Sequence, residues 1–156
     1  FTYVGDGNNM AHSLMLGCSR LGMNVQICAP AGYEPEEKYT TLARGYCEAR
    51  GQWLRIDTDP NNAGVDADVV YTDVWASMGQ ESEQQERLKA FAGFEVDDTL
   101  MARAKNSAIF MHCLPAHRGE EVSASVCDGP QSVIFDEAEN RLHAQKALML
   151  FLAGAS

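Results

Sequence analysis

Apolar residues gather into five short runs along this chain, at 1–4, 23–29, 53–56, 68–72 and 108–112. Their length, and the glycine, proline or aspartate that ends most of them, predict buried strands. Between the runs the apolar spacing turns helical. Met10, Leu14, Met15 and Leu21 mark a helix over 10–21 that stops at Gly22, and Pro35 suits the first turn of a second helix reaching about residue 50, before Gly51. The pattern further predicts a helical turn at 59–64, helices at 86–91 and 97–104, a short helix at 120–127, an extended piece at 132–135 and a long helix at 138–152. Residues 77–85 are polar and interrupt the rhythm.

Strands separated by helices specify a parallel sheet, because a parallel partner is reached only by a crossover. The expected fold is therefore α/β: a doubly wound, Rossmann-like parallel sheet of about five strands with helices on both faces. Such sheets bind ligands beyond the carboxyl ends of their strands, at the point where the winding reverses. Chemistry is to be sought just after strands one, four and five.

With 156 residues, 46% of them hydrophobic, the chain suffices for one cored domain. A net charge of -10 repels nucleic acid and anionic membranes while suiting a small cationic ligand. The longest uncharged apolar run, 147–155, is too short to cross a bilayer, and the opening residues lack the pattern of a secretory signal. Five cysteines without a Cys-x-x-Cys pair read as reduced thiols of a cytoplasmic protein. His112 and Cys113 are adjacent, so on a strand they face opposite ways and share a metal only if the chain bends between them. No metal or cofactor is expected. The opening Phe1-Thr2-Tyr3-Val4-Gly5 reads as the inside of a strand, which suggests a piece of a longer protein.

Three strand ends carry candidate chemistry. After strand one, Gly5-Asp6-Gly7-Asn8-Asn9-Met10 places methionine where a dinucleotide fingerprint needs its third glycine, and strand two ends without a ribose-binding carboxylate, so nicotinamide dinucleotides are discounted. Asn8 and Asn9 either cap the following helix or bind a carboxylate at its amino terminus. After strand four, Asp73 either holds an ammonium group in the crevice or caps the next turn. Ser77-Met78-Gly79 suits a loop that folds over a ligand. After strand five comes His112-Cys113-Leu114-Pro115, in which Pro115 should hold Leu114 extended, and a cis bond before the proline is open to it. Cys113 is either a structural thiol or a ligand contact; nothing in the sequence supplies a nucleophile's triad. Finally, Glu137-Ala138-Glu139-Asn140-Arg141 opens the last helix, where a cation is disfavoured. Arg141 therefore answers an anion or carbonyl in the crevice, or pairs with Glu137 or Glu139. His12, His117 and His143 read as packing or surface residues.

Taken in order over nearly the whole chain, Gly5–Asn9, Asp73-Val74-Trp75-Ala76-Ser77-Met78-Gly79-Gln80-Glu81, His112–Pro115 and Glu137–Arg141 resemble the ornithine-binding domain of the ornithine carbamoyltransferases. The stretches 116–120 and 141–148 are similar to its bacterial, arginine-biosynthetic branch. The resemblance implies transfer of the carbamoyl group from carbamoyl phosphate to L-ornithine, giving L-citrulline and phosphate without cofactor, metal or covalent intermediate. It implies that Asn9 binds the ornithine carboxylate with Asn8 shaping the turn, that Asp73 holds the α-ammonium, and that Ser77 and Met78 complete the amino-acid pocket. Cys113 and Leu114 would meet both substrates, and Arg141 would contact carbamoyl phosphate, making Cys113 and Arg141 the catalytic pair. It also implies an upstream carbamoyl-phosphate domain absent from this chain, a homotrimer or a multiple of one, and no activity from this half alone. Two readings stand beside it: a transcarbamoylase for putrescine or an acylated ornithine, and a non-catalytic amino-acid-binding relative. Aspartate carbamoyltransferases fit less well, having proline where Cys113 stands and no Ser-Met-Gly step.

Overall fold

The five apolar runs form β1 (Thr2–Val4), β2 (Val25–Cys28), β3 (Leu54–Asp57), β4 (Val69–Thr72) and β5 (Ile109–His112), all paired in parallel in the order β3-β2-β1-β4-β5. This computed structural model describes residues 1–76 and 84–154. The helices are α1 (Asn9–Arg20), α2 (Glu37–Glu48), α3 (Gln84–Ala90), α4 (Asp98–Met101), α5 (Ala124–Cys127) and α6 (Ile134–Leu152), with a 3-10 turn at Pro60–Asn62. From β1 the chain winds outward to β2 and β3, then returns to β4 and β5 on the other side. The reversal lies between β1 and β4, as the doubly wound expectation requires.

Alternation along the strands builds two cores. Tyr3, Val25, Ile27 and Tyr71 pack with Ala11 and Met15 of α1 and Ala43 of α2, while Val4, Cys28, Val70 and Phe110 pack with Phe91, Phe94, Leu100, Val126 and Ile134 on the opposite face. Fully burying a side chain such as Phe110 or Ile27 is worth roughly 1.5–3 kcal/mol over leaving it exposed. Buried on both faces, the central strands are apolar almost throughout.

Several boundaries differ from the pattern reading for local reasons. The strand expected at 23–29 is only Val25–Cys28. The helix expected at 97–104 shortens to Asp98–Met101, started by Asp97, whose carboxylate accepts the Leu100 N–H at 2.8 Å. The helix expected from 120 begins at Ala124, because Val122 pairs with Val96 and Ser123 supplies the cap. The extended piece expected at 132–135 reduces to a bridge between Ser132 and Phe110. Ile134 then turns inward to the core and starts α6 four residues earlier than expected, so Arg141 sits two turns into that helix and not at its start. Beyond Ile134, α6 is largely uncovered: Leu142, Leu148, Met149, Leu150, Phe151 and Leu152 are all more than half exposed.

The turn after β1 lies directly against the loop that leads to α2. A Cβ on Gly7 would stand 2.3 Å from the Pro35 nitrogen and 2.5 Å from the Tyr33 carbonyl oxygen, and the Gly7 N–H donates to that same oxygen at 2.8 Å. Backbone on both sides leaves no flexible atom to yield. Gly7→Ala should therefore destabilise the domain by at least about 2 kcal/mol, seen as a lower urea midpoint with unchanged slope.

Candidate active-site cleft

Strand register assembles the site. Val4 pairs with Thr72 and Thr72 with His112, so the residues that follow, Gly5, Asp73 and Cys113, leave the sheet at one level along its carboxyl edge. The Thr72 hydroxyl donates to the Val4 carbonyl at 2.6 Å, fixing β1 and β4 together just below that edge. Above it opens a cleft of about 910 Å3. Asn9, Asp73, Cys113, Leu114 and Arg141 all line it, so five of the eight residues singled out from sequence converge on one cavity. Asn8 lies behind it as the α1 cap, its side chain accepting the Met10 N–H at 3.1 Å. Ser77 and Met78 lie outside the described residues.

Asp73 is 7% exposed and is held on both sides. Its Oδ1 accepts the Val74 N–H at 2.8 Å and the Cys113 thiol at 3.0 Å. Burial and the Asp73 carboxylate push the Cys113 thiol up to about 12, so it serves as a donor and keeps its proton at neutral pH. A thiol in that state is a poor nucleophile. His112 and Cys113 do approach Asp73, with donor atoms within 4.8 Å of one another, because the chain bends where β5 ends. Both ring nitrogens of His112 are nevertheless engaged, with the Leu114 N–H at 2.8 Å and Glu121 at 3.2 Å.

The bend also changes Leu114. Its φ is +58°, in the left-handed region, and the Leu114–Pro115 bond is cis. The extended conformation expected from the following proline is displaced because the Leu114 N–H turns back to the His112 Nδ1.

Four polar lining residues were not singled out for the site: Tyr71, His117, Glu120 and Glu137. Glu137 accepts the Tyr71 hydroxyl at 2.7 Å and the His112 N–H at 3.1 Å, which ties α6 to the ends of β4 and β5. Burial, reinforced by Glu137, holds the Tyr71 hydroxyl protonated. Arg141, exposed in the cleft, makes no ion pair with Glu137 or Glu139 among the described residues; Glu139 lies 3.3 Å from His143 instead. Met10, Leu14, Val74 and Leu114 give the cleft an apolar wall. The signal for Glu137 was present in the Glu-Ala-Glu-Asn-Arg run, whereas nothing local marks Tyr71, whose hydroxyl reaches the site only through the sheet.

Behind the cleft, Asp6 and Arg87 form a buried ion pair, and the Arg87 guanidinium also donates to the Trp75 carbonyl at 2.9 Å. Burial raises the Asp6 carboxyl against the lowering pull of Arg87. The pair fastens the turn after β1 to the segment after β4, on either side of the winding reversal.

The thiol's state is measurable. At pH 7.5, alkylation of Cys113 by iodoacetamide should be at least about a hundredfold slower than that of free cysteine, rising with pH until well above 10, and Asp73→Asn should accelerate it. An unfolded thiol ionises near 8.5, so this group's contribution to stability is intact below that pH and is lost as the pH climbs toward 12.

Comparison with known proteins agrees with this architecture. The model of the aspartate/ornithine carbamoyltransferase Asp/Orn-binding domain matches residues 1–152. An ornithine carbamoyltransferase of Symbiobacterium thermophilum is 57% identical over 150 residues, covering 96% of this chain and 48% of that protein. The ornithine carbamoyltransferase from Pyrococcus furiosus superposes with a TM-score of 0.90 at 54% identity, covering 96% of this chain and 48% of that one. An N-acetyl-L-ornithine transcarbamylase superposes at 0.80 with 32% identity, covering 95% and 48%. The chain thus spans about half the length of the relatives it matches. By the domain match and these relatives, it belongs to the aspartate/ornithine carbamoyltransferase family, as an Asp/Orn-binding domain.

Proposed function

We propose that this domain is the amino-acid-binding half of an ornithine carbamoyltransferase, which converts carbamoyl phosphate and L-ornithine to L-citrulline and phosphate. The observation that carries the reading is Asp73: a buried carboxylate at the winding reversal, facing a cleft that also presents Asn9, an apolar wall and Arg141. A charge-assisted hydrogen bond from Asp73 suits the α-ammonium of ornithine. Asn9, at the start of α1, suits its carboxylate, with Ser77 and Met78 assigned by resemblance to complete the same pocket. The methylene chain would lie on Met10, Leu14 and Leu114. Arg141 supplies the positive charge for carbamoyl phosphate, and Cys113 and Leu114 flank the reacting amine.

In this reading the neutral δ-amine attacks the carbamoyl carbon, forming the C–N bond. The tetrahedral intermediate then breaks its C–O bond to phosphate, and the proton lost by the amine leaves with phosphate. Orientation and charge stabilisation supply the rate, and the protonated Cys113 thiol is poorly suited to act as a nucleophile.

Ornithine is favoured over the neighbouring substrates on electrostatic grounds. Aspartate would bring two carboxylates to a cleft lined by Asp73, Glu120 and Glu137. An acylated ornithine would offer Asp73 no ammonium, and putrescine would leave Asn9 no carboxylate. Five free thiols accord with a reducing, cytoplasmic setting, and among the described residues no helix is long and apolar enough to cross a membrane. The trimer implied by the resemblance would be read from the mass of the complete protein.

The test replaces the matching 150 residues of the Symbiobacterium thermophilum protein by this chain. Calorimetry of that chimaera should show ornithine binding that strengthens once carbamoyl phosphate is present, together with citrulline formation. Asp73→Asn should raise the ornithine KM by about 10–100-fold, the worth of a hydrogen bond to a charged group. Residues 1–156 alone should form no citrulline. Absence of ornithine binding in both conditions would overturn the assignment.

A further inference from the structure

Glu121 is 0% exposed, lies outside the cleft, and is the most deeply buried acid among the described residues. An isolated buried carboxylate is costly, and neutral apolar residues of similar volume fill such a position at no such cost. Its hydrogen bonds show what it does there. Oε1 accepts the His117 N–H and lies 3.2 Å from the His112 Nε2, while Oε2 has no hydrogen-bond partner among the described residues. The Glu121 backbone is itself fixed, its carbonyl accepting the Val96 N–H at 2.9 Å. One carboxylate oxygen therefore pins both ends of the loop that carries Cys113, Leu114, Pro115 and His117 to the cleft.

The chemistry of the imidazole passes this constraint on. The Leu114 N–H donates to the His112 Nδ1 at 2.8 Å, so that nitrogen must present its lone pair. In a neutral ring the proton is then on Nε2, the nitrogen facing Glu121. A carboxylate at Nε2 selects the tautomer that accepts from Leu114. The accepted N–H in turn accounts for the left-handed φ of +58° at Leu114, a conformation that a leucine adopts only when its surroundings impose it.

We propose that Glu121, acting through His112, is a positioning residue for the carbamoyl transfer: it fixes the imidazole tautomer and thereby the backbone of Cys113 and Leu114 at the reacting amine. The inference rests on the function proposed above. Glu121 touches no substrate in this scheme.

The chimaera described above carries the test. Glu121→Gln keeps an acceptor for His112 and should retain kcat within about threefold, whereas Glu121→Met keeps the volume, loses the acceptor and should lower kcat at least about tenfold with little change in ornithine KM. His112→Asn retains an acceptor near Leu114 and loses the group that meets Glu121. In that background Glu121→Met should cost clearly less than in the unsubstituted chimaera, leaving only the share carried by the His117 N–H. Long-range proton–nitrogen NMR of the unsubstituted protein should show His112 neutral and protonated at Nε2. Equal kcat in Glu121→Met and the unsubstituted chimaera, equal losses in the Gln and Met variants, or additive losses with His112→Asn would each overturn the proposal. So would a proton on Nδ1, a reading that holds even where Glu121→Met fails to fold. An unsubstituted chimaera that forms no citrulline would instead overturn the function on which the inference stands.

Discussion

Parallel pairing in one register across β1, β4 and β5 is the constraint on which the site depends. Because Val4, Thr72 and His112 lie side by side, the first residues beyond the sheet emerge at one height, and each carries a different capability: a turn into a helix, a carboxylate and a thiol. A slip of one residue in any of these pairings would exchange the faces of that strand, sending Tyr71 or Phe110 to the wrong core. The two apolar cores therefore hold the chemistry in place as firmly as any bond at the cleft.

Around that edge three carboxylates hold the polar groups in place. Asp73 takes the thiol of Cys113, Glu137 takes the Tyr71 hydroxyl and the strand-end N–H of His112, and Glu121 takes the ring of His112 from behind. These donors face acceptors within the protein, and in the function proposed above the remaining lone pairs of Asp73 meet the ammonium of the ligand. On that proposal, an acidic cleft with one exposed arginine would sort its ligands by charge as well as by shape.

Much of this was legible in the sequence, for a physical reason. Strands buried on both faces are written as continuous apolar runs, so β1 to β5 and the order of helices between them followed from spacing, and the strand-end rule then named Asn9, Asp73 and Cys113 together. Reading failed where an element is decided by distant partners. Helix α6 begins at Ile134 because that side chain completes a core built from β4 and β5, and the chain is still extended at Val122 because Val96 pairs with it. Leu114 reversed its expected conformation because a histidine two residues earlier accepts its N–H. Tyr71 and Glu137 escaped notice since a hydroxyl in one strand and a carboxylate 66 residues later meet only in three dimensions.

Helix α6 joins two surfaces of unlike character. Its first two turns carry Glu137 and Arg141 into the cleft, and its last turns present Leu148 to Leu152 uncovered. A helix is stiff over this length, about 27 Å from Ile134 to Leu152 at roughly 1.5 Å per residue, with Arg141 about 10 Å from the buried end. Its buried end is held at two points, by Ile134 in the core and by the Glu137 carboxylate on Tyr71 and His112, so Arg141 stands one turn beyond the last anchor. The one cation lining the cleft among the described residues therefore belongs to the stretch of helix that neither core holds, while the carboxylates facing it are fixed to the sheet.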